Sequence, residues 1–146
     1  KGLFVGEGDM DEEVDAYILQ HKMSGYLYRS PFRTDVPDLL HSIDVYCLPS
    51  LWEGLSIALL EAMAMQKAII ATPTDGTKEV ISHQKNGYIV PFDDIPALAD
   101  AIDVFHEDTS LMKQCSESAR LFVSERFNAK GVADAVISVY SGIMSS

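Results

Sequence analysis

Short apolar runs alternate with amphipathic ones along the whole chain, and that alternation places most of the elements. Leu3-Phe4-Val5 predicts a first strand running into Gly6-Glu7-Gly8. Asp9 suits the cap of a following helix, with Glu12 completing a capping-box-like pair, and Val14, Tyr17 and Ile18 give that helix its apolar stripe. Tyr26-Leu27-Tyr28 predicts the next strand, and the turn-rich stretch Ser30 to Asp35 follows it. Pro37 suits the first turn of a helix whose apolar face is Val36, Leu39, Leu40 and Ile43. Val45 to Leu48 predicts a strand closed by Pro49. Leu55 to Met65 predicts a helix apolar nearly all round, the pattern of one packed inside a domain. Ala68 to Ala71 returns as a strand. The turn Thr74-Asp75-Gly76 leads to a short helix over 77–82, and Tyr88-Ile89-Val90 is a last strand after Asn86-Gly87. Three helices complete the chain. Their stripes are Leu98, Ile102 and Phe105 after Pro96, then Met112, Cys115, Ala119 and Phe122, then Val132, Val136, Val139 and Ile143 with Asn128 as N-cap.

Strand–helix alternation of this kind predicts an α/β fold, a doubly wound parallel sheet with helices on both faces. The pattern reads as one domain over residues 1–146, with C-terminal helices over 109–144. Ligands of such sheets bind outside the carboxyl ends of the strands. The loops to inspect are therefore 6–11, 29–35, 49–54 and 72–77.

Composition narrows the function classes. With 47% hydrophobic and 23% charged residues, the 146-residue chain is globular and not disordered. Eleven basic against 22 acidic side chains leave a net charge of -11, which argues against nucleic acid as a partner. No apolar run approaches the ~18 residues of a membrane span, and Lys1 opens straight into a strand-like stretch without a signal peptide. Cys47 and Cys115 lie in apolar segments and read as reduced core residues of a cytoplasmic protein.

The segment from Pro49 to Ala64 holds the most informative chemistry. Glu61 is the only charged side chain between Gly54 and Lys67, and a carboxylate on so apolar a helix needs hydrogen-bonding partners. Either a vicinal diol such as a ribose supplies them, or Glu61 pairs with Lys67, Lys78 or a backbone amide. Glu53 precedes the helix, where a carboxylate also favours the helix dipole, and Gly54 lets a ligand approach the backbone closely. Helical spacing throughout would set Glu53 and Glu61 roughly 12 Å apart. Between them, the amides near Gly54 to Ser56 could hold a phosphate.

Glu53 and Glu61, with seven residues between them, resemble the E-x7-E motif of retaining GT-B glycosyltransferases, the group also called glycosyltransferase family 4. The flanks are similar too: PS-x-x-EGL before, LLEAMA after, then the strand AIIAT. Downstream, Asp75-Gly76-Thr77-Lys78-Glu79-Val80 resembles the family's G-G-x-x-E-I/V turn. Asn86-Gly87-Tyr88-Ile89-Val90-Pro91 resembles its N-G-x-L-V-P strand, and Phe127-Asn128 through Tyr140 its C-terminal end. The match covers nearly the whole chain with several motifs in order. This sequence departs from the pattern at Gln66, where glycine is usual, at Ala68, where proline is frequent, and at Asp75, which replaces the first glycine of a pair. Gln66 is expected to strain or reshape the end of its helix.

The resemblance implies a Rossmann-like, donor-binding C-terminal half of a GT-B fold, without its first strand and N-terminal domain. It implies that Glu61 binds the nucleotide ribose, that Glu53 orients the donor sugar, and that Gly54, Leu55 and Ser56 present amides to the diphosphate or sugar. Ser30 to Arg33 occupies the place of base contacts, although an exposed loop arginine is usually just solvated. The partner is a nucleotide-diphosphate sugar, with no cofactor or bound metal. The family's reaction is transfer with retention, the departing phosphate taking the acceptor's proton. Acceptor contacts would belong to a missing N-terminal domain, and peripheral attachment of the full-length protein to a membrane is compatible with this reading. The chain alone is expected to bind nucleotide diphosphates at ~mM and to transfer nothing.

Other readings carry less weight. Gly6-Glu7-Gly8 lacks the third glycine and ribose-binding acid of a dinucleotide fingerprint. Asp9-Met10-Asp11 is better explained by helix capping than by a metal, and His21, His41, His83 and His106 show no ligand spacing. A GT-B-like epimerase or synthase would share the nucleotide end of the site. A non-catalytic receiver-like module would need an aspartate where Val45 to Leu48 runs into Pro49-Ser50.

Overall fold

A computed structural model describes residues 1–144, and positions 145–146 of the expected domain lie outside the described residues. The chain divides into two compact units, Lys1–Leu39 and Leu40 onward.

In the first unit, β1 (Gly2–Val5) pairs in parallel with β2 (Leu27–Ser30), Val5 lying opposite Ser30. The crossover is α1 (Asp11–Gln20), which buries Ile18. Tyr17 is not part of that buried stripe. It is 56% exposed and stacks on the His21 ring at 4.2 Å. The helix begins one residue later than Asp9 capping would have it, with Met10 at the cap and Asp11 accepting from the Gly8 amide. Arg29 on β2 ties back to α1 through Asp11 (2.7 Å) and Asp15 (2.8 Å). Asp11 therefore serves an ion pair in this unit. Helix α2 (Val36–Ser42) carries the boundary between the units and buries Leu40.

In the second unit, β3 (Val45–Leu48), β4 (Ala68–Ala71) and β5 (Tyr88–Ile89) form a parallel sheet in that order. Its central strand is buried at every position, as a strand covered on both faces should be. Ala68 and Ile70 cluster with Val90, with Ala101 and Phe105 of α5 (Ile95–Glu107), and with Cys115 of α6 (Thr109–Arg126). Asp94 caps α5 by accepting from the Ala97 amide (2.9 Å), and Pro96 stands in the first turn, in agreement with the expected start of that helix. Ile102 leaves the predicted stripe, being 43% exposed, because Ala101 takes the inward position.

Helix α3 (Ile57–Ala64) follows β3, and α4 (Asp75–Val80) follows β4. The expected turn at 74–76 is in fact the first turn of α4, capped by Thr74. The last helix, α7 (Ala129–Met144), has its N-terminal amide at Gly131 bound to Asn128 Oδ1 (2.7 Å), which makes Asn128 the expected cap. Its apolar stripe is visible but no residue of it is buried. Parallel strands with intervening helices thus appear in both units, in agreement with the α/β expectation. Among the described residues no helix is long and apolar enough to cross a membrane.

Candidate functional site

Leu48 and Ala71 end β3 and β4 in register, so the loops after them leave the same edge of the sheet side by side. The first loop, residues 49–56, carries Glu53, Gly54, Leu55 and Ser56. The second, residues 72–74, enters α4. Ser56 caps α3 in extended conformation, its hydroxyl accepting from the Leu59 amide (3.4 Å). The amides of Gly54, Leu55 and Ser56 donate to no acceptor among the described residues. A helix start with unsatisfied amides favours an anion.

An open pocket of about 380 Å³ lies between the two loops. Leu51, Trp52, Glu53 and Gly54 line it from one side, and Thr74, Asp75 and Lys78 from the other, with Phe92 at its rim. Trp52 is 87% exposed there, an apolar plate available for a ligand to cover. Glu53 is half-buried and accepts only a long hydrogen bond from Ser50 Oγ (3.5 Å). Glu61 sits one helical turn into α3 on its exposed side.

That placement corrects the expected burial of α3. Leu59, Ala62 and Met63 are buried, whereas Ile57 is 73% exposed and Ala58, Glu61 and Ala64 share its open side. Apolar composition all round therefore did not mean burial all round, and Glu61 is not desolvated by its own helix. Only the stretch from Ile57 onward is helical, so the 12 Å spacing of a continuous helix does not apply.

Lys67 does not neutralise Glu61, since its ammonium donates to the Ile43 carbonyl (2.9 Å). Lys78 lies 3.8 Å from Asp75, the only charge pair it makes among the described residues. Glu53 and Glu61 form no salt bridge there. Tyr46, which sequence reasoning passed over, senses both acids: burial, then the charges of Glu53 and Glu61, push its phenol above the usual range. Register sets Tyr46 opposite the fully buried Ile69 of β4. A tyrosine in a strand otherwise reading Val-Cys-Leu was the signal that could have marked it.

Ser30 and Arg33 belong to the N-terminal unit. Ser30 closes β2, its carbonyl accepting from the Gly6 amide (3.0 Å). Arg33 is paired, its Nε donating to Asp35 Oδ1 (2.8 Å). That pair raises the guanidinium pKa and holds the Asp35 carboxyl below its usual range. This unit also holds a larger cavity of about 690 Å³ beside Glu7, Asp9 and the Arg29 ion pairs. Among the described residues no group of three or more metal-ligating side chains is assembled. Cys47 is exposed, not a core residue, while Cys115 is buried, and both are free thiols.

Comparison with known proteins gives this arrangement its family. Residues 1–122 match the family described as glycosyl transferases group 1. The chain is 29% identical over 113 residues to the lipopolysaccharide core biosynthesis mannosyltransferase LpsB of Rhizobium meliloti, covering 76% of this chain and 32% of that protein. It is 31% identical over 119 residues to an N,N'-diacetylbacillosaminyl-diphospho-undecaprenol alpha-1,3-N-acetylgalactosaminyltransferase of Campylobacter jejuni, covering 82% of this chain and 32% of that protein. The chain thus spans about a third of the length of these curated relatives. Among solved structures, Anabaena HepE in complex with UDP-glucose superposes with a TM-score of 0.88 at 24% identity, over 96% of this chain and 40% of HepE. At that identity the likeness establishes the fold, a Rossmann-like GT-B half. A match over 122 of 146 residues settles the lineage, and the chain belongs to the glycosyl transferases group 1 family.

Proposed function

We propose that this chain is the donor-binding portion of a retaining glycosyltransferase of family 4. It would serve an enzyme that moves a glycosyl unit, such as a hexosyl group, from a nucleotide-diphosphate sugar to an acceptor in cell-surface polysaccharide or glycolipid synthesis. One observation carries this reading: Glu53 and Glu61, neither with a cationic partner among the described residues, flank the unsatisfied amides of Gly54, Leu55 and Ser56. The likeness to HepE, which was solved with UDP-glucose, supports it.

In this reading Glu61 accepts the two ribose hydroxyls and Glu53 accepts from the donor sugar. The amides of residues 54–56 and the start of α3 face the diphosphate, where negative charge grows as the bond to the sugar breaks. Both acids act as acceptors and neither is a general base. The reaction needs no metal and no cofactor. Acceptor contacts and further cationic groups belong to the remainder of a longer protein, one that works in the cytoplasm and associates peripherally with the membrane's inner face. The chain alone binds nucleotide diphosphates at about mM and does not turn over.

Chemical-shift titration of the chain with UDP and with UDP-glucose tests the assignment. Glu61→Ala should weaken both ligands about 10- to 150-fold, the loss of charge-assisted hydrogen bonds of about 1.5–3 kcal/mol. Glu53→Ala should weaken UDP-glucose and leave UDP unchanged. Equal losses for both ligands in both variants would refute the division of roles.

A further inference from the structure

We infer that the β4–α4 connection, through Thr72 and Gly76, holds the Glu53-bearing loop in position from behind, so that both are positioning residues for donor binding. The inference rests on the donor-site reading of that loop. Neither residue lines the pocket, and both are shielded: Thr72 is 4% exposed and Gly76 is buried within the first turn of α4.

Thr72 follows β4 directly, and its amide extends the parallel ladder to the Leu48 carbonyl (3.2 Å). Its hydroxyl has one proton and two acceptors within reach, the Leu48 carbonyl at 3.3 Å and the closer Ser50 carbonyl. Ser50 in turn donates its hydroxyl to Glu53 (3.5 Å). A chain of contacts therefore runs from a buried hydroxyl, through one loop residue, to the acid.

Gly76 fixes the other end of the loop by close approach. A Cβ at position 76 would stand 2.0 Å from the Gly54 oxygen, 2.4 Å from its carbonyl carbon and 2.7 Å from the Leu55 nitrogen. All three are backbone atoms and none can swing aside, so any larger residue must displace Gly54 and Leu55 bodily. The α4 turn cannot yield easily either. Thr74 caps it, accepting from the Thr77 amide (3.3 Å) and donating to the Thr77 hydroxyl (2.9 Å), with both threonines buried. Thr72 and Gly76 thus bracket residues 50–55, and the pocket's sugar end keeps its shape only while both contacts stand. Misplacing reacting groups by about 1 Å can cost up to 10²-fold in an enzyme, which is the scale of displacement an added Cβ imposes here.

The test uses the chain without ligand first. Thr72→Val keeps the shape of the side chain and removes the donor, Thr72→Ser keeps the donor, and Gly76→Ala adds the Cβ. Amide resonances of Glu53, Gly54 and Leu55, and the indole resonance of Trp52, the chain's single tryptophan, report the loop. These signals should move in Thr72→Val and Gly76→Ala and return to wild-type positions in Thr72→Ser, while those of Phe105 and Ala119 in the core stay still. With UDP and UDP-glucose as probes, the affinity ratio of the conjugate to free UDP should fall about tenfold in Thr72→Val, the worth of one hydrogen bond to the sugar, and recover in Thr72→Ser. Loop resonances unmoved in Thr72→Val, or an affinity ratio that does not change, would overturn the inference. If Gly76→Ala fails to fold, the two Thr72 variants decide it. If wild-type chain ignores both probes, the donor-site reading fails, and the ligand-free shifts still decide whether Thr72 and Gly76 place the loop.

Discussion

Gln66 offers the sharpest quantitative test, because a departure from the family pattern coincides with a strained backbone. It stands just past α3 with φ of 58°, in the left-handed region. Its amide donates to the Met63 carbonyl (3.0 Å) and the next amide, of Lys67, donates to Ala62 (3.0 Å). These two bonds are the helix ending that normally employs glycine at this position. A side chain there costs about 1–2 kcal/mol, against which the freedom of glycine in the unfolded chain returns about 0.4–1 kcal/mol. Gln66 also accepts from Arg120 on α6 (3.3 Å), an exposed bond that any truncation removes. The comparison that isolates the backbone is therefore Gln66→Gly against Gln66→Ala, since both lose Arg120. Gln66→Gly should be more stable than Gln66→Ala by about 0.5–1 kcal/mol. That difference separates their melting midpoints by about 2–4 °C. Urea and thermal unfolding of both variants measure it. An alanine variant as stable as the glycine variant would show that position 66 carries no strain.

The remaining predictions concern the core and one cap. Phe105 is fully buried and meets the Tyr88 ring edge-on at 5.0 Å, so Phe105→Ala should cost about 3–5 kcal/mol, a large part of the about 5–15 kcal/mol a domain has. Ile102→Ala on the same helix should cost about 1 kcal/mol or less, and equal urea-midpoint losses for the two would contradict the packing. Asp108 caps α6 by accepting from the Leu111 amide (2.9 Å) and from Ser110, and these bonds hold its carboxyl below the usual range. A value depressed in the folded state gives stability that is complete above the unfolded value of about 3.9 and is lost as pH falls through the folded value. Asp108→Asn should accordingly flatten the fall in urea midpoint below about pH 4, and an unchanged acid profile would count against the cap's contribution.

What was legible in the sequence follows from locality. The strands Val45–Leu48 and Ala68–Ala71 emerged at their predicted limits because four apolar residues bounded by Pro49 or Thr72 admit little else. The cap at Asn128 was equally legible, since a cap needs only residues three apart. Asp75-Gly76 misled because the same pair serves a turn and the first turn of a helix, and Thr74 decides between them through a hydroxyl contact. Burial failed where it depended on partners. Ile57 and Ile102 are as apolar as Leu59 and Phe105, yet packing leaves the first two open. In the candidate site, the sequence singled out Glu53 and Glu61 by their spacing, and the structure leaves both without a cationic partner among the described residues. Spacing did not mark Thr72, Gly76 and Tyr46, because their roles arise from atoms more than twenty positions away or on a neighbouring strand.

If the pocket takes the donor as proposed, the charge balance around it determines where affinity must come from. Among the described residues Lys78 is the single cation lining it, and Asp75 stands 3.8 Å from that ammonium. The start of α3 adds about half a positive charge. A diphosphate brings at least two negative charges into a chain that already carries -11. Under the donor-site proposal, Coulomb attraction from this chain therefore cannot dominate, and hydrogen bonds to ribose and sugar would supply most of the selectivity. Two acids that accept from neutral hydroxyls suit that demand, because a hydroxyl can satisfy a carboxylate without a counter-ion. Raising salt from low to physiological strength should then change UDP-glucose affinity of the isolated chain only slightly, whereas a strong fall would show that cations of this chain, and not Glu53 and Glu61, hold the ligand.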